Sequence, residues 1–278
     1  MIMFSVNPFL TLRRTFMKSV AISIMVALFL LHASPFIQPA ISYEIAPLLA
    51  PSGVLRVAIN LNNAILAHLD ENEEPGGISV DLARELARQL NLDVELHTVR
   101  GAVRSVEAVA SNDVDLGFFA VDPNRAEVIS FTDPYILIEG WFLVRYDSHF
   151  TDNESVDQQG VRIAVGYGSA YDLFLTRTLQ HATLERGPTT PEVVNYFVSN
   201  NLDVAANIRQ QLEEDMERHP GMRLLPERFM VIEQAMGVCT SRDDAVTQFL
   251  NGFLQEIRTN GFLAESMARH GITGATIP

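Results

Sequence analysis

The charged side chain with the clearest chemical setting is Arg125, which follows Asp122 and Pro123 at the start of a predicted short helix. Asp122 is a typical N-cap residue, and proline is favoured at the first helical position. A guanidinium offers a planar fork that binds a carboxylate through two hydrogen bonds, and free N–H groups in a first helical turn also favour an anion. The residue types allow two interpretations, a carboxylate-binding arginine or a surface ion pair with Asp122 or Glu127.

A second polar turn lies at Gly168 and Ser169, between a predicted strand and a predicted helix. Serine at this position is a good N-cap, so the turn has a structural explanation without any ligand. Tyr167 and Tyr171 flank the turn. Their rings are candidates for stacking on a bound molecule and equally for ordinary packing.

Composition excludes several functional classes. The chain of 278 residues carries 34 acidic and 20 basic side chains, a formal net charge of −14, which argues against binding to nucleic-acid phosphates. Cys239 is the single cysteine, so neither an intramolecular disulfide nor a multi-cysteine zinc site can form. The histidines show no metal-binding spacing. We therefore expect no cofactor and no metal.

The N-terminus resembles a secretory signal peptide, which we place at residues 1–42. Arg13, Arg14 and Lys18 precede an apolar run at 20–31 that is short for a membrane span, and small residues before Tyr43 provide a cleavage point. An uncleaved membrane anchor is the alternative, and the paired arginines leave the general and twin-arginine export routes open. Since Lys18 is the only lysine, cleavage would leave an acidic chain whose basic residues are all arginine.

Strand and helix signals alternate after this segment, and the alternation restarts near residue 161. This order predicts an α/β fold with largely parallel strands in two similar halves, following a linker at 46–53. The predicted strands are 54–59, 93–98, 114–121, 161–165 and 203–207, and the predicted helices are 79–90, 103–110, the short helix from 123, 170–179 and the helical region 245–270.

The order of these signals resembles the periplasmic solute-binding proteins, family 3, that serve amino-acid ABC transporters. The resemblance extends over about residues 53–272. The matching segments are GVLRVA at 53–58, GISVDLA at 77–83, NDVD at 112–115, DPNRAEVISFTDPY at 122–135, VGYGS at 165–169 and NGFLA at 260–264.

The resemblance implies a two-lobed type II fold, with two α/β sheets joined by two hinge strands around a ligand cleft. Lobe 1 would comprise 53–142 and 237–278, and lobe 2 would comprise 143–236. The arginine that grips the ligand carboxylate in this family corresponds to Arg125, and the turn that presents a hydroxyl and N–H groups to it corresponds to Gly168 and Ser169. The predicted ligand-binding residues are Arg125, Ser169, Asn60, Asn63, Phe119, Ala120, Gly168, Tyr167, Tyr171 and Asn207, with no catalytic residue.

Two positions depart from the family pattern. The aspartate that pairs with the ligand's α-ammonium group is replaced by Ile208, beside Asn207. A buried ammonium without a counter-charge is unfavourable. Either Asp172, Glu139 or Asp122 takes that role, or the ligand has no α-ammonium. The position of the usual aromatic lid falls within an amide-rich loop at 60–63, which suits an uncharged polar group.

Three functions remain open. The first is a periplasmic, monomeric binding protein that carries a small carboxylate, an amino acid or a related compound, to an ABC permease in the inner membrane. The second is an enzyme on the same scaffold, similar to cyclohexadienyl dehydratase, which needs a proton donor in the cleft. The third is a ligand sensor that reports to a membrane receptor. We expect the first, and no enzyme.

Overall fold

The structure, a computed structural model, describes residues 38–278, with side chains from Glu44 onward. The predicted signal peptide at 1–42 and its cleavage point therefore lie outside the fully described residues. Between Gln38 and Pro278 there is no helix with the length and apolarity needed to cross a membrane.

Strands and helices alternate along the chain as the sequence predicts. The strands are β1 (Val54–Asn60), β2 (His68–Leu69), β3 (Pro75–Gly76), β4 (Asp93–Val99), β5 (Leu116–Ala120), β6 (Ile129–Arg145), β7 (Arg162–Gly166), β8 (Thr183–Gly187), β9 (Val204–Ile208), β10 (Met222–Leu224) and β11 (Met230–Cys239). The α-helices are α1 (Gln38–Leu49), α2 (Ile78–Leu90), α3 (Ala102–Ala110), α4 (Pro123–Ala126), α5 (Ala170–Thr178), α6 (Val193–Ser199), α7 (Arg209–Arg218), α8 (Asp244–Thr259) and α9 (Phe262–Arg269).

Local sequence explains where several helices begin and which face they bury. In α2, Leu82, Leu86 and Leu90 recur every four residues and all are buried, so one stripe of the helix faces the core. At α4, the Asp122 carboxylate accepts a hydrogen bond from the Asn124 N–H at 2.9 Å. The predicted N-cap is therefore confirmed, and it sets the start of the turn that carries Arg125.

The predicted linker at 46–53 is wrong over its first half, because α1 continues to Leu49. Ile45, Leu49 and Ala50 are buried in the hydrophobic core around α2 and β1. The two prolines of this segment indicated a loop. However, burial of these apolar side chains outweighs the one backbone hydrogen bond that Pro47 removes within the helix.

The main sheet is a continuous ladder in the order β4-β1-β5-β11-β6-β9-β7-β8, with β10 on β6. β1 pairs in parallel with β4 and β5, and β7 pairs in parallel with β8 and β9. Between these two parallel sections run β6 and β11, which are antiparallel to each other over most of their length. The two expected sheets are thus joined through two long strands.

Separate cores lie at the two ends of this ladder. Ile136 of β6 and Met236 of β11 belong to the core that contains α2 and α8, whereas Ile138 and Ile232 of the same strands belong to the core around β7 and α5. Both long strands therefore change cores near their middle. The lobe boundaries at 142/143 and 236/237 stay predictions.

Candidate functional site

A cavity lies where the carboxyl ends of the parallel strands meet the middle of β6 and β11. Ligands of open α/β sheets commonly bind at this edge, in the crevice between the two sections. The space amounts to about 780 Å³ when the solvent at its open side is included. It is lined by Asn60, Asn62, Asn63, Leu66, Ser79, Gly101, Ala102, Phe118, Phe119, Ala120, Arg125, Ile138, Tyr167, Ser169, Ala170, Tyr171, Pro188, Thr189, Thr190, Ile208, Ile232 and Gln234.

Arg125 reaches this cavity from α4 and is only 6% exposed. Its Nη1 donates to the Ala120 carbonyl at 3.0 Å, and its Nη2 donates to the Gly168 carbonyl at 2.9 Å. Burial lowers the pKa of Arg125 to about 10, and the nearby Asp122 carboxylate opposes that shift. The guanidinium is thus charged at neutral pH while bonded to uncharged carbonyls.

The turn after β7 approaches the opposite lobe closely at Gly168. Its φ is +67°, and a Cβ there would lie 2.3 Å from Cγ2 of Val103 in α3, so any other residue would be strained and would displace Val103. The Gly168 N–H donates to Asp172 Oδ2 at 2.8 Å, and the Ser169 N–H donates to the Gly166 carbonyl at 3.1 Å. Both N–H groups already have acceptors. The Ser169 hydroxyl, which accepts from the Asp172 N–H at 3.1 Å, can still donate its own hydrogen.

Amide side chains form one wall of the cavity. Asn60 Oδ1 accepts from the N–H groups of Asn62 and Gly101, both at 3.1 Å, which joins the loops after β1 and β4. Asn63 Oδ1 is buried and has no hydrogen-bond partner in the described part of the chain. Gln234 is 5% exposed, and its side chain also lines the cavity. This wall has unused hydrogen-bonding capacity.

The two flanking tyrosines occupy different positions. Tyr171 is 2% exposed, and its buried hydroxyl lies near the hydroxyls of Ser169 and Thr190. Burial raises the pKa of the Tyr171 phenol above its usual value, so the group is neutral. Tyr167 is 62% exposed at the edge of the cavity.

Phe119 and Ala120, also predicted as ligand-binding, lie on the cavity wall.

Two predicted residues do not line the cavity, Gly168 and Asn207. Gly168 contributes indirectly, because its carbonyl accepts a hydrogen bond from Arg125 Nη2. Asn207 is fully buried, donates to the Thr190 carbonyl at 3.0 Å and accepts from the Ile208 N–H at 2.8 Å. Because successive side chains of a strand point to opposite faces, Ile208 lines the cavity and Asn207 faces away from it.

Several lining residues were not predicted. Thr189 and Thr190 follow the carboxyl end of β8, so the general rule that ligands bind beyond the carboxyl ends of parallel strands could have identified them. Gln234 lies inside β11, where a β-bulge interrupts the pairing with β6. No local sequence signal marks it, since its exposure to the cavity depends on how two distant strands pair.

The three acids considered as partners for a ligand ammonium all lie outside the cavity lining. Each is bound to an arginine instead: Asp172 to Arg186 at 2.9 Å, Asp122 to Arg177 at 2.8 Å, and Glu139 to Arg228 at 2.5 Å. Asp122 acts on Arg125 through its charge only, because Arg125 donates to the carbonyls of Ala120 and Gly168. None of the three carboxylates is free to meet a ligand.

Comparison with known proteins identifies close similarities in family and fold. The family described as bacterial extracellular solute-binding proteins, family 3, matches residues 55–272. A "Probable histidine-binding protein" of Neisseria gonorrhoeae is 21% identical over 221 residues, 78% of this chain and 82% of that protein.

Solved structures share the fold at low identity. A solute receptor for L-cysteine of Neisseria gonorrhoeae has a TM-score of 0.69 and 22% identity, covering 81% of this chain and 92% of that one. The ancestral amino acid-binding protein AncCDT-1, a precursor of cyclohexadienyl dehydratase, has a TM-score of 0.66 and 19% identity, covering 80% and 96%. The predicted type II two-lobed fold is confirmed.

Proposed function

Because the chain belongs to the bacterial extracellular solute-binding proteins of family 3, we propose that it binds a small carboxylate-bearing solute and delivers it to an ABC-transporter permease. The amino-acid-binding role of its relatives supports a ligand of amino-acid size. The proposal places the protein in the periplasm as a monomer and assigns it no enzymatic activity.

The observation that carries this proposal is the buried guanidinium of Arg125 without an acidic partner. Two of its N–H groups donate to carbonyls, which leaves three of the five donors of a guanidinium for a ligand. Burying a cation without a counter-charge is unfavourable, and a bound carboxylate supplies that charge. The Ser169 hydroxyl, which also lines the cavity, is a second donor to it.

Delivery requires that the ligand-bound form of the protein differ in structure from the ligand-free form. The hydrogen bond from Arg125 to the Gly168 carbonyl and the close approach of Val103 to Gly168 both join the two lobes. A carboxylate held by Arg125 and Ser169 adds a further link across the same gap. Ligand binding therefore favours closure of β6 and β11 as hinges, and the closed form is the one the permease recognises.

The scaffold also supports enzymes, and the relationship to a dehydratase precursor makes that alternative specific. An enzyme of this kind needs a proton donor in the cavity. Asp172 and Glu139, the candidate donors, are paired with Arg186 and Arg228 and do not line the cavity. This arrangement favours a binding protein over a catalyst.

Replacement of Arg125 tests the proposal. Arg125→Gln should weaken binding of carboxylate ligands by about 100-fold or more in titration calorimetry, because a charge-assisted bidentate contact is lost. The control Arg84→Gln makes the same charge change at an exposed position of α2 and should leave affinity unchanged. Equal affinity of the Arg125 variant and the control would overturn the site assignment.

A further inference from the structure

The cavity has one charged side chain among its described lining residues, and it is a cation. Arg125 supplies that charge, and no aspartate or glutamate lines the space. The protein as a whole has a net charge of −14, so acids are abundant in the chain but absent from this wall. A ligand that neutralises the positive charge of Arg125 is therefore an anion with a single net negative charge.

A ligand with an α-ammonium group has no counter-charge here. The position that would pair with it holds Ile208, which is 5% exposed and lines the cavity with its apolar side chain. An ammonium taken out of water next to Ile208 loses its hydration without gaining an ion pair, and the Arg125 charge repels it further.

The nearest acid cannot be redirected without disrupting other contacts. Asp172 is 3% exposed, and its carboxylate accepts from the Gly168 N–H, from Arg186 at 2.9 Å and from the Thr176 hydroxyl at 3.2 Å. Rotation into the cavity would break the turn that holds Ser169 and leave Arg186 unpaired. Its carboxylate is therefore part of the scaffold.

Uncharged polar side chains line the same cavity. Asn63 Oδ1 is buried and has no hydrogen-bond partner among the described residues, and the Tyr171 and Gln234 side chains also line the space. Buried polar groups normally have hydrogen-bond partners, so the free Asn63 Oδ1 is consistent with a ligand that supplies one. Asn63 Oδ1 can accept from a ligand hydroxyl or amide N–H, and side-chain amide N–H groups can donate to a ligand oxo group; neither contact needs a counter-charge.

Resting on the proposed function of carboxylate binding, we propose that the ligand is a monocarboxylate whose second polar group is an uncharged hydroxyl, oxo or amide rather than an α-ammonium. Arg125 holds its carboxylate, the amide wall and Tyr171 bind the uncharged group, and Ile208 excludes the ammonium form. The class includes 2-oxo, 2-hydroxy and N-acyl acids.

A matched panel tests this inference on the wild-type protein. Each proteinogenic α-amino acid is compared with its 2-oxo, 2-hydroxy and N-acetyl counterparts by thermal shift, and hits are titrated by calorimetry. We expect at least one ammonium-free acid to bind about tenfold or more tightly than the amino acid of the same skeleton. An amino acid that binds as tightly as its counterparts overturns the inference but leaves carboxylate binding intact. A panel without any binding acid overturns both proposals.

A gain of function provides the second arm. Ile208→Asp introduces the missing carboxylate and should raise affinity for the α-amino acid by about tenfold or more, while it lowers affinity for the ammonium-free acid. Ile208→Asn is the matched control of similar size without charge and should not improve amino-acid binding. Circular dichroism checks that both variants are folded. If the variants are folded and Asp and Asn behave alike, the role assigned to Ile208 is wrong.

Discussion

Two buried charges in this protein, Asp115 and Arg125, differ in where their counter-charge comes from. Asp115 has no exposed surface, and its carboxylate accepts from the Arg56 N–H at 3.0 Å, from Arg56 Nη2 at 2.8 Å and from Arg242 Nη2 at 2.9 Å. Arg125 is almost as buried, but it donates only to the carbonyls of Ala120 and Gly168.

The pKa values of the arginines follow the same difference. The hydrogen bond between Arg56 and Asp115 raises the pKa of Arg56. Burial instead lowers the pKa of Arg125 to about 10. A charge balanced within the protein is a structural anchor that joins β1, β5 and the segment after β11. A charge left unbalanced in a cavity is one that a ligand can balance.

The largest expected effect is on stability at the balanced site. Asp115→Asn leaves two arginines without their shared carboxylate and should lower the free energy of unfolding by about 3 kcal/mol or more, measured by urea denaturation. Asp113→Asn, two residues away at an exposed position, is the control and should change it by less than about 0.5 kcal/mol. If both variants have similar free energies of unfolding, the buried Asp115 carboxylate is no more important for stability than an exposed one.

Replacing Arg242 or Arg125 should change stability by a smaller amount, and by a different amount at each position. Arg242→Met should lower the free energy of unfolding by about 2 kcal/mol, because it removes an ion pair to a fully buried acid. Arg125→Met should change that of the ligand-free protein by about 1 kcal/mol or less, since the lost hydrogen bonds are offset by relief of a buried charge. Destabilisation by Arg125→Met that equals or exceeds that of Arg242→Met contradicts this comparison.

The smallest effect concerns pH. A pKa of about 10 keeps Arg125 charged up to pH 9, and no histidine or acid lines the cavity among residues 44–278. Affinity for the tightest-binding acid of the matched panel should therefore vary less than about twofold between pH 6 and 9, and fall only as pH approaches 10. Calorimetry across this range is the measurement. A steep change near pH 7 would indicate a titrating group that contacts the ligand.

Short-range features were predictable from sequence. The N-cap at Asp122, the serine cap at Ser169 and the leucine stripe of α2 depend on residues within one helical turn of each other, so composition and spacing are sufficient. The family resemblance adds Arg125, which the structure places in the cavity. The two-lobed fold was predicted from the resemblance as well.

Other features depended on contacts that spacing does not reveal. Asn207 and Ile208 are adjacent, and only the packing of β9 decides which one faces the cavity. Gln234 was missed for a related reason, since its exposure to the cavity depends on the pairing of β6 with β11. The linker predicted at 46–53 was wrong over its first half because burial against α2 outweighed local proline signals.

The sequence by itself determined that position 208 has no acid, that the loop at 60–63 is rich in amides, and that lysine is absent after residue 18. It could not determine whether Asp172, Asp122 or Glu139 replaces the missing aspartate. Only the tertiary structure decided that, because each acid is bound to an arginine 14, 55 or 89 residues away along the chain. Ion pairs at such separations depend on how the chain folds and not on local sequence.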